Sequence, residues 1–237
     1  MPVISMASPK GGAGKTTVTL QLAAELARSG AQVIVIDADP NQPFKAWERM
    51  SRENGVMPDN IEVREGLEED KLTDVIDQAA EEAPFVLVDL EGSANMGVTH
   101  AIGRSDLVIV PIKGSRLDAD QAQRSVGVVK QTERVFKRRI PLSILITQTS
   151  AAIRGKTLTS IVTAIREADV PVFETELIQR EAFVTVFDVG GTVYTLGELE
   201  EPVLGAKQLK AAQANTAALA EEVIAVLKQA AEREDAA

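Results

Sequence analysis

The stretch SPKGGAGKTT, residues 8–17, follows the apolar run PVISMA (2–7) and opens a segment with helical apolar spacing. A short strand that passes through closely spaced glycines into Lys-Thr at a helix start leaves few folds open, because backbone N–H groups and the helix N-terminus then converge on one point that attracts polyphosphate. Gly11, Gly12, Ala13 and Gly14 let the backbone approach the anion, Lys15 reaches its distal phosphates, Thr16 offers a hydroxyl to Mg²⁺, and Thr17 completes the cradle. The common pattern G-x-x-x-x-G-K-[ST] would place its first glycine at position 9, where Pro9 stands. The match is therefore to a variant, K-G-G-x-G-K-T, which carries a second lysine, Lys10.

The rest of the chain supplies the sheet that such a loop requires. β-Branched runs recur at 2–7, 32–37, 85–90, 106–112, 141–147 and 170–174, each bounded by turn or helix signals. Runs apolar on both faces suit strands covered by helices on either side, so the expectation is a doubly wound, mostly parallel α/β sheet. Residues 16–29 read as a helix closed by Gly30, and 188–207 as an exposed loop rich in Gly and Glu. Leu209, Ala212, Thr216, Leu219, Val223, Val226 and Ala230 recur at spacings of three and four, which predicts an amphipathic helix over about 206–233 that packs on its own sheet or meets a partner. With no linker or repeat, residues 1–237 are expected to form one domain.

Composition removes several kinds of chemistry. The sequence has no cysteine and a single histidine, His100, which excludes disulfides and thiolate metal sites and leaves oxygen as the expected metal ligand. His100 and Trp47 are expected to pack, His100 near the segment after residue 90. No stretch reaches 18 consecutive apolar residues, so a soluble, cytoplasmic protein without a membrane partner is expected. A net charge of −10 repels nucleic acid overall and makes any such contact the work of a local basic patch.

The loop variant is the deviant Walker A motif, and at this point the chain resembles the ParA/MinD family of P-loop ATPases. VIVIDADPNQP (33–43) looks like the family's strand followed by Asp-x-Asp-Pro, FVLVDLEGS (85–93) like its Walker B strand, and SDLVIVPIKGSRLDADQA (105–122) like its strand that ends at a proline and enters a helix. The resemblance implies a SIMIBI-like P-loop NTPase fold, ATP/ADP and Mg²⁺ as cofactors, and an ATP-dependent sandwich homodimer in which Lys10 reaches the partner's phosphates. It further implies that Asp39 orients the attacking water, that Asp37 assists the Mg²⁺ region, and that Asp89 holds Mg²⁺ through water. Helix capping or a turn role is the alternative for each acid. Leu90, Glu91 and Gly92 depart from the Thr-Pro-Pro common in partition ATPases. Thr147 and Gln148 stand where many relatives place an asparagine against adenine, and are assigned to nucleotide binding. The chain looks most like short ParA proteins, including the VirC-type branch.

The resemblance implies an ATPase that segregates or positions a plasmid, chromosome region or protein cargo on the nucleoid, with hydrolysis stimulated by an adaptor protein. The alternative is a nucleotide-gated scaffold that recruits proteins to a DNA-processing or conjugative-transfer complex. For non-specific DNA, KQTERVFKRR (130–139) places Lys130, Arg134 and Lys137 at helical spacing with Arg138 and Arg139 beyond, and Arg154, Lys156, Lys207 and Lys210 are further candidates.

Overall fold

The computed structural model describes residues 1–9, 11–92, 95–150 and 156–235. Seven parallel strands form one sheet: β1 (Val3–Met6), β2 (Val33–Ala38), β3 (Ile61–Glu65), β4 (Phe85–Leu90), β5 (Leu107–Lys113), β6 (Leu142–Thr149) and β7 (Leu177–Ile178), in the spatial order β3-β2-β4-β1-β5-β6-β7. The helices are α1 (Lys15–Arg28), α2 (Pro43–Glu53), α3 (Leu72–Glu82), α4 (Met96–Arg104), α5 (Arg116–Phe136), α6 (Lys156–Glu167), α7 (Glu181–Val189) and α8 (Ala206–Asp235).

Strand alternation divides the buried side chains into two cores. Ile4, Val33, Val35, Leu87, Leu107 and Ile109 face α1, α2, α7 and α8, whereas Val3, Ile34, Ile36, Val86, Val88, Val108 and Val110 face α3 to α6. Both faces are covered, which is why the central strands read as continuous apolar runs rather than as alternations. Each crossover brings a loop to the carboxyl edge of the sheet. The change in strand order beside β1 opens a crevice there, where open α/β sheets bind ligands.

Glycine ends α1 as the sequence predicts. Gly30 is left-handed (φ 89°), with Gly30 N–H bonded to Ala27 O at 2.9 Å and Ala31 N–H to Leu26 O at 3.1 Å, the paired bonds of a Schellman motif. α8 packs its predicted stripe on α1: Leu209, Ala212, Thr216, Leu219 and Val223 are buried, and the Thr216 hydroxyl donates to Gln21 Oε1 at 3.1 Å. The reading of α8 as a self-packing helix holds over this stretch.

Three elements differ from the expectation. β3 has the alternation Ile-Glu-Val-Arg-Glu, half polar because it is an edge strand, and so escapes a search for runs apolar on both faces. Residues 170–174 form a single bridge, Val172 with Ile144, and the sheet closes instead at Leu177–Ile178; Pro171 lacks the N–H that a regular ladder would use. The segment expected to be an exposed loop, 188–207, is sealed in its first half. Gly191, Thr192, Val193 and Leu196 are buried, Trp47 Nε1 donates to Gly191 O at 2.7 Å, and Gly191 N–H donates to Ser51 Oγ at 2.8 Å. A Cβ on Gly190 would stand 2.4 Å from the Ser51 backbone nitrogen, so its glycine serves a close helix contact rather than looseness. Trp47 is fully buried, edge-on to Phe44 at 6.0 Å, as a packing anchor. His100 packs edge-on to Phe136.

Candidate nucleotide site

β1 ends at Met6 and α1 begins at Lys15, and the loop between them curls over the carboxyl edge of the sheet. Gly12 (φ 76°) and Gly14 (φ 97°) are left-handed, a conformation that a Cβ would strain. The loop is braced from β6. Thr147, 1% exposed, donates its hydroxyl to Ala13 O at 2.8 Å, and Gln148, itself left-handed at φ 56°, donates Nε2 to Gly12 O at 3.1 Å. Thr147 is thus held beneath the loop, its hydroxyl shared between Ala13 O and Ile112 O (3.2 Å), and of the two residues assigned to nucleotide binding Gln148 borders the cavity.

The cavity has a volume of about 460 Å³ and is lined by Gly11, Gly12 and Gly14 to Thr17 on one side, by Asp39, Pro40 and Asn41 on another, and by Glu91, Gly92 and Gln148. Its phosphate side is built from backbone amides and Lys15, which is 7% exposed. Its acidic side comes from β2 and β4, which pair in register so that Asp37 lies beside Asp89. Thr16 Oγ1 donates to Asp89 Oδ2 at 2.7 Å, while Asp89 Oδ1 is buried without a hydrogen-bond partner. Burial pushes the Asp89 carboxyl up to about 7; the Asp37 and Asp39 charges add to this, while the Thr16 bond and Lys15 oppose it.

A buried carboxylate with one free oxygen beside a threonine hydroxyl suits a hard divalent cation such as Mg²⁺, which keeps waters and binds through one or two protein oxygens plus substrate phosphates. Among the described residues no group of three or more His, Cys, Asp or Glu forms a cage, so the donor set fits a metal shared with a polyphosphate. Asp37 is different. Its Oδ2 accepts from Phe44 N–H at 2.8 Å and its Oδ1 from Asp39 N–H at 3.3 Å, so it braces the turn into α2. These are the bonds of the turn alternative, made by an acid that stands in register beside Asp89. Asp39 is half-buried and borders the cavity, and its Oδ1 accepts from both the backbone N–H (2.9 Å) and Nδ2 (2.8 Å) of Asn41, closing an Asx turn.

Lys10 and Ser93 lie outside the described residues. Two features escaped the sequence reading. Lys113, at the carboxyl end of β5, holds Nζ 3.9 Å from where a Cβ on Gly12 would stand, a position legible only once β5 is known to flank β1. Glu91 borders the cavity and accepts from Asn95 Nδ2, while Asn95 Oδ1 accepts from Val98 N–H at 2.8 Å as the N-cap of α4. The Asn95 cap was readable as a short polar residue before an apolar helix.

The basic stretch is less uniform than its spacing suggests. Lys130 and Arg134 are exposed on α5, but the helix ends at Phe136 and Lys137 is left-handed (φ 52°) beyond it. Arg138 turns inward, donating to Gly103 O at 3.2 Å and pairing with Asp106 at 3.4 Å. Arg138 is therefore engaged and Lys137 lies beyond the end of the helix, while Lys130, Arg134, Lys137 and Arg139 are exposed, as are Lys207 and Lys210 on α8. Arg154 lies outside the described residues, and Lys156 opens α6.

A seven-stranded parallel sheet with a glycine loop entering a helix beside two strand-end acids defines a P-loop ATPase of the ParA/MinD type. The family model described as "VirC1 protein" matches residues 1–231, and the chain belongs to that family. It is 34% identical over 196 residues to Protein ParA of Rhizobium radiobacter, covering 83% of this chain and 86% of that protein. It is 28% identical over 198 residues to Protein virC1 of Rhizobium rhizogenes, covering 83% and 84%. Among solved structures, an ATP complex of a McdA variant from Cyanothece superposes with TM-score 0.66 at 18% identity, over 92% of this chain and 96% of that one.

Proposed function

We propose that residues 1–237 form one ATPase domain that binds Mg²⁺-ATP in this cavity, dimerises around it, binds DNA without sequence preference in that state, and is reset by adaptor-stimulated hydrolysis. Its work is to segregate or position a plasmid, chromosome region or protein cargo on the nucleoid. The observation that carries this reading is the placement of Lys15, Thr16 and Asp39 around one cavity, with Asp89 buried behind Thr16 and bonded to it. Phosphates would lie against the loop amides and Lys15; Thr16 and Asp89 would hold Mg²⁺, which would supply charge neutralisation to the polyphosphate; Asp39 would orient water. Lys10 supplies a further cation from the facing protomer. The relatives named ParA and virC1, and the neighbour in complex with ATP, support the nucleotide and the class of work.

One observation favours a second reading. With Arg138 tied to Gly103 and Asp106, one of the five cations of the basic stretch is engaged in a chain of net charge −10, which suits a nucleotide-gated scaffold that recruits proteins. Binding of a random-sequence duplex with ATP, with ADP and without nucleotide, at two salt concentrations and with the dimer mass followed, decides between them. Salt-sensitive binding by an ATP dimer is the expected result. An ATP dimer that ignores DNA selects the scaffold, and the absence of any ATP dimer overturns both.

A further inference from the structure

β2 and β4 pair in register as far as Ala38 and Leu90, so the next residue of each, Asp39 and Glu91, leaves the sheet at the same level of its carboxyl edge. Neighbouring strands lie about 4.8 Å apart, close to the span of two O–H···O bonds of about 2.7 Å that meet at one water. Both acids line the cavity, and each is held from behind. Asp39 Oδ1 accepts from the backbone N–H and the Nδ2 of Asn41. Glu91 accepts from Asn95 Nδ2, and Asn95 is fixed in turn, because its Oδ1 accepts from Val98 N–H at 2.8 Å and caps α4. An amide locked by a helix end thus orients a carboxylate on the wall of the cavity.

A water that attacks phosphorus in line must turn a lone pair toward it and point both hydrogens away, onto acceptors. Asp39 has one oxygen committed to its turn, and a single acceptor fixes only one of the two hydrogens. A carboxylate accepts up to about four hydrogen bonds, so the bond from Asn95 orients Glu91 without preventing it from taking a water. We infer that Glu91 is a second catalytic carboxylate of this site, accepting one hydrogen of the attacking water while Asp39 accepts the other. As the water oxygen bonds to the γ-phosphorus, the bond from that phosphorus to the β–γ bridging oxygen breaks and its electron pair leaves with ADP. One proton of the water passes to Glu91 and on to solvent, and the other stays on the phosphate released. The inference rests on the hydrolysis reading above and gives a role to the departure at Leu90, Glu91 and Gly92 from Thr-Pro-Pro.

The test measures ATP turnover and Mg²⁺-ATP affinity of the full chain in Glu91→Gln, Glu91→Ala and Asp39→Ala, with thermal melts to confirm folding. Glu91→Gln keeps an oxygen for Asn95 Nδ2 and removes the carboxylate, so the wall stays pinned while the water loses its proton acceptor. It should bind Mg²⁺-ATP within a few-fold of the unaltered protein and turn it over about 100-fold more slowly, as should Glu91→Ala. Groups that act on one water are not additive, so Asp39→Ala combined with Glu91→Gln should be only a few-fold slower than the slower single variant. Normal turnover by Glu91→Gln beside a slow Glu91→Ala reduces Glu91 to a brace for α4 and overturns the inference. A Glu91→Gln defect that added Mg²⁺ repairs assigns the carboxylate to the cation and overturns it too. An unaltered protein that binds ATP without hydrolysing it removes the hydrolysis reading itself, and this inference with it.

Discussion

The β4 wall of the cavity and the β6 wall beneath the loop both end in hydroxyl and carboxyl chemistry, yet they are built to opposite ends. Asp89 on β4 keeps one oxygen free in a buried place, at the cost of a carboxyl pushed up to about 7. Thr147 on β6 has its hydroxyl on Ala13 O and serves the loop's shape. A buried polar group with nothing to do in the resting protein is poised for a ligand, whereas one fully engaged is scaffolding.

Breaking the loop itself should have the largest effect. Lys15→Ala is expected to weaken ATP binding by ~100-fold or more, since the buried cation is removed from direct phosphate contact; calorimetric binding within a few-fold of the unaltered protein would remove Lys15 from the phosphate site. Asp39→Ala tests the acidic wall: ATP binding persists while steady-state turnover falls by about 100-fold, the lower range for loss of a group acting on the nucleophile. Normal turnover would reduce Asp39 to its Asx turn. Thr147→Val tests the scaffolding wall and should lower ATP affinity by about 10-fold by releasing Ala13 O, with no change in the ratio of ATP to tripolyphosphate affinity. A selective loss of ATP would give Thr147 a nucleoside contact.

The smallest effect is also the most diagnostic of the β4 wall. An acid whose pKa is raised on folding favours the fold when protonated, so its contribution is most favourable below the unfolded value of 3.8 and is lost as pH rises toward 7. Without nucleotide, Asp89→Asn should therefore melt higher than the unaltered protein by ~3 °C at pH 8, with the gain shrinking toward pH 5. Mg²⁺-nucleotide affinity of the unaltered protein should strengthen as pH rises through 7. A melting difference that is flat with pH would show that Asp89 ionises without penalty.

The sheet was legible wherever burial on both faces left an apolar run, and illegible at its edges. β3 mixes Glu and Arg with Ile and Val because one side of it meets water, and β7 is too short to carry a pattern. The phosphate loop was legible because its glycines, lysine and threonine act through positions local in sequence. Thr147, Lys113 and Arg138 act through neighbours brought by topology, and spacing along the chain says nothing of Ala13, Gly12 or Asp106. Asp37 shows the same limit from the other side: its place after a strand says nothing of the two backbone N–H groups of the following turn that its oxygens accept.

The seal between α2 and the segment after α7 has a mechanical consequence. The Asp39 turn leads directly into α2, whose Trp47 and Ser51 grip Gly191 from both sides, and Gly190 leaves no room for even a methyl group against that helix. α2 is therefore clamped to a segment that runs on toward α8, and the turn at the nucleotide cavity can shift only by flexing between Asp37 and Pro43 or by carrying the clamp with it. The sole tryptophan of the chain sits at that joint, so its emission is a built-in gauge of which of the two happens when nucleotide arrives.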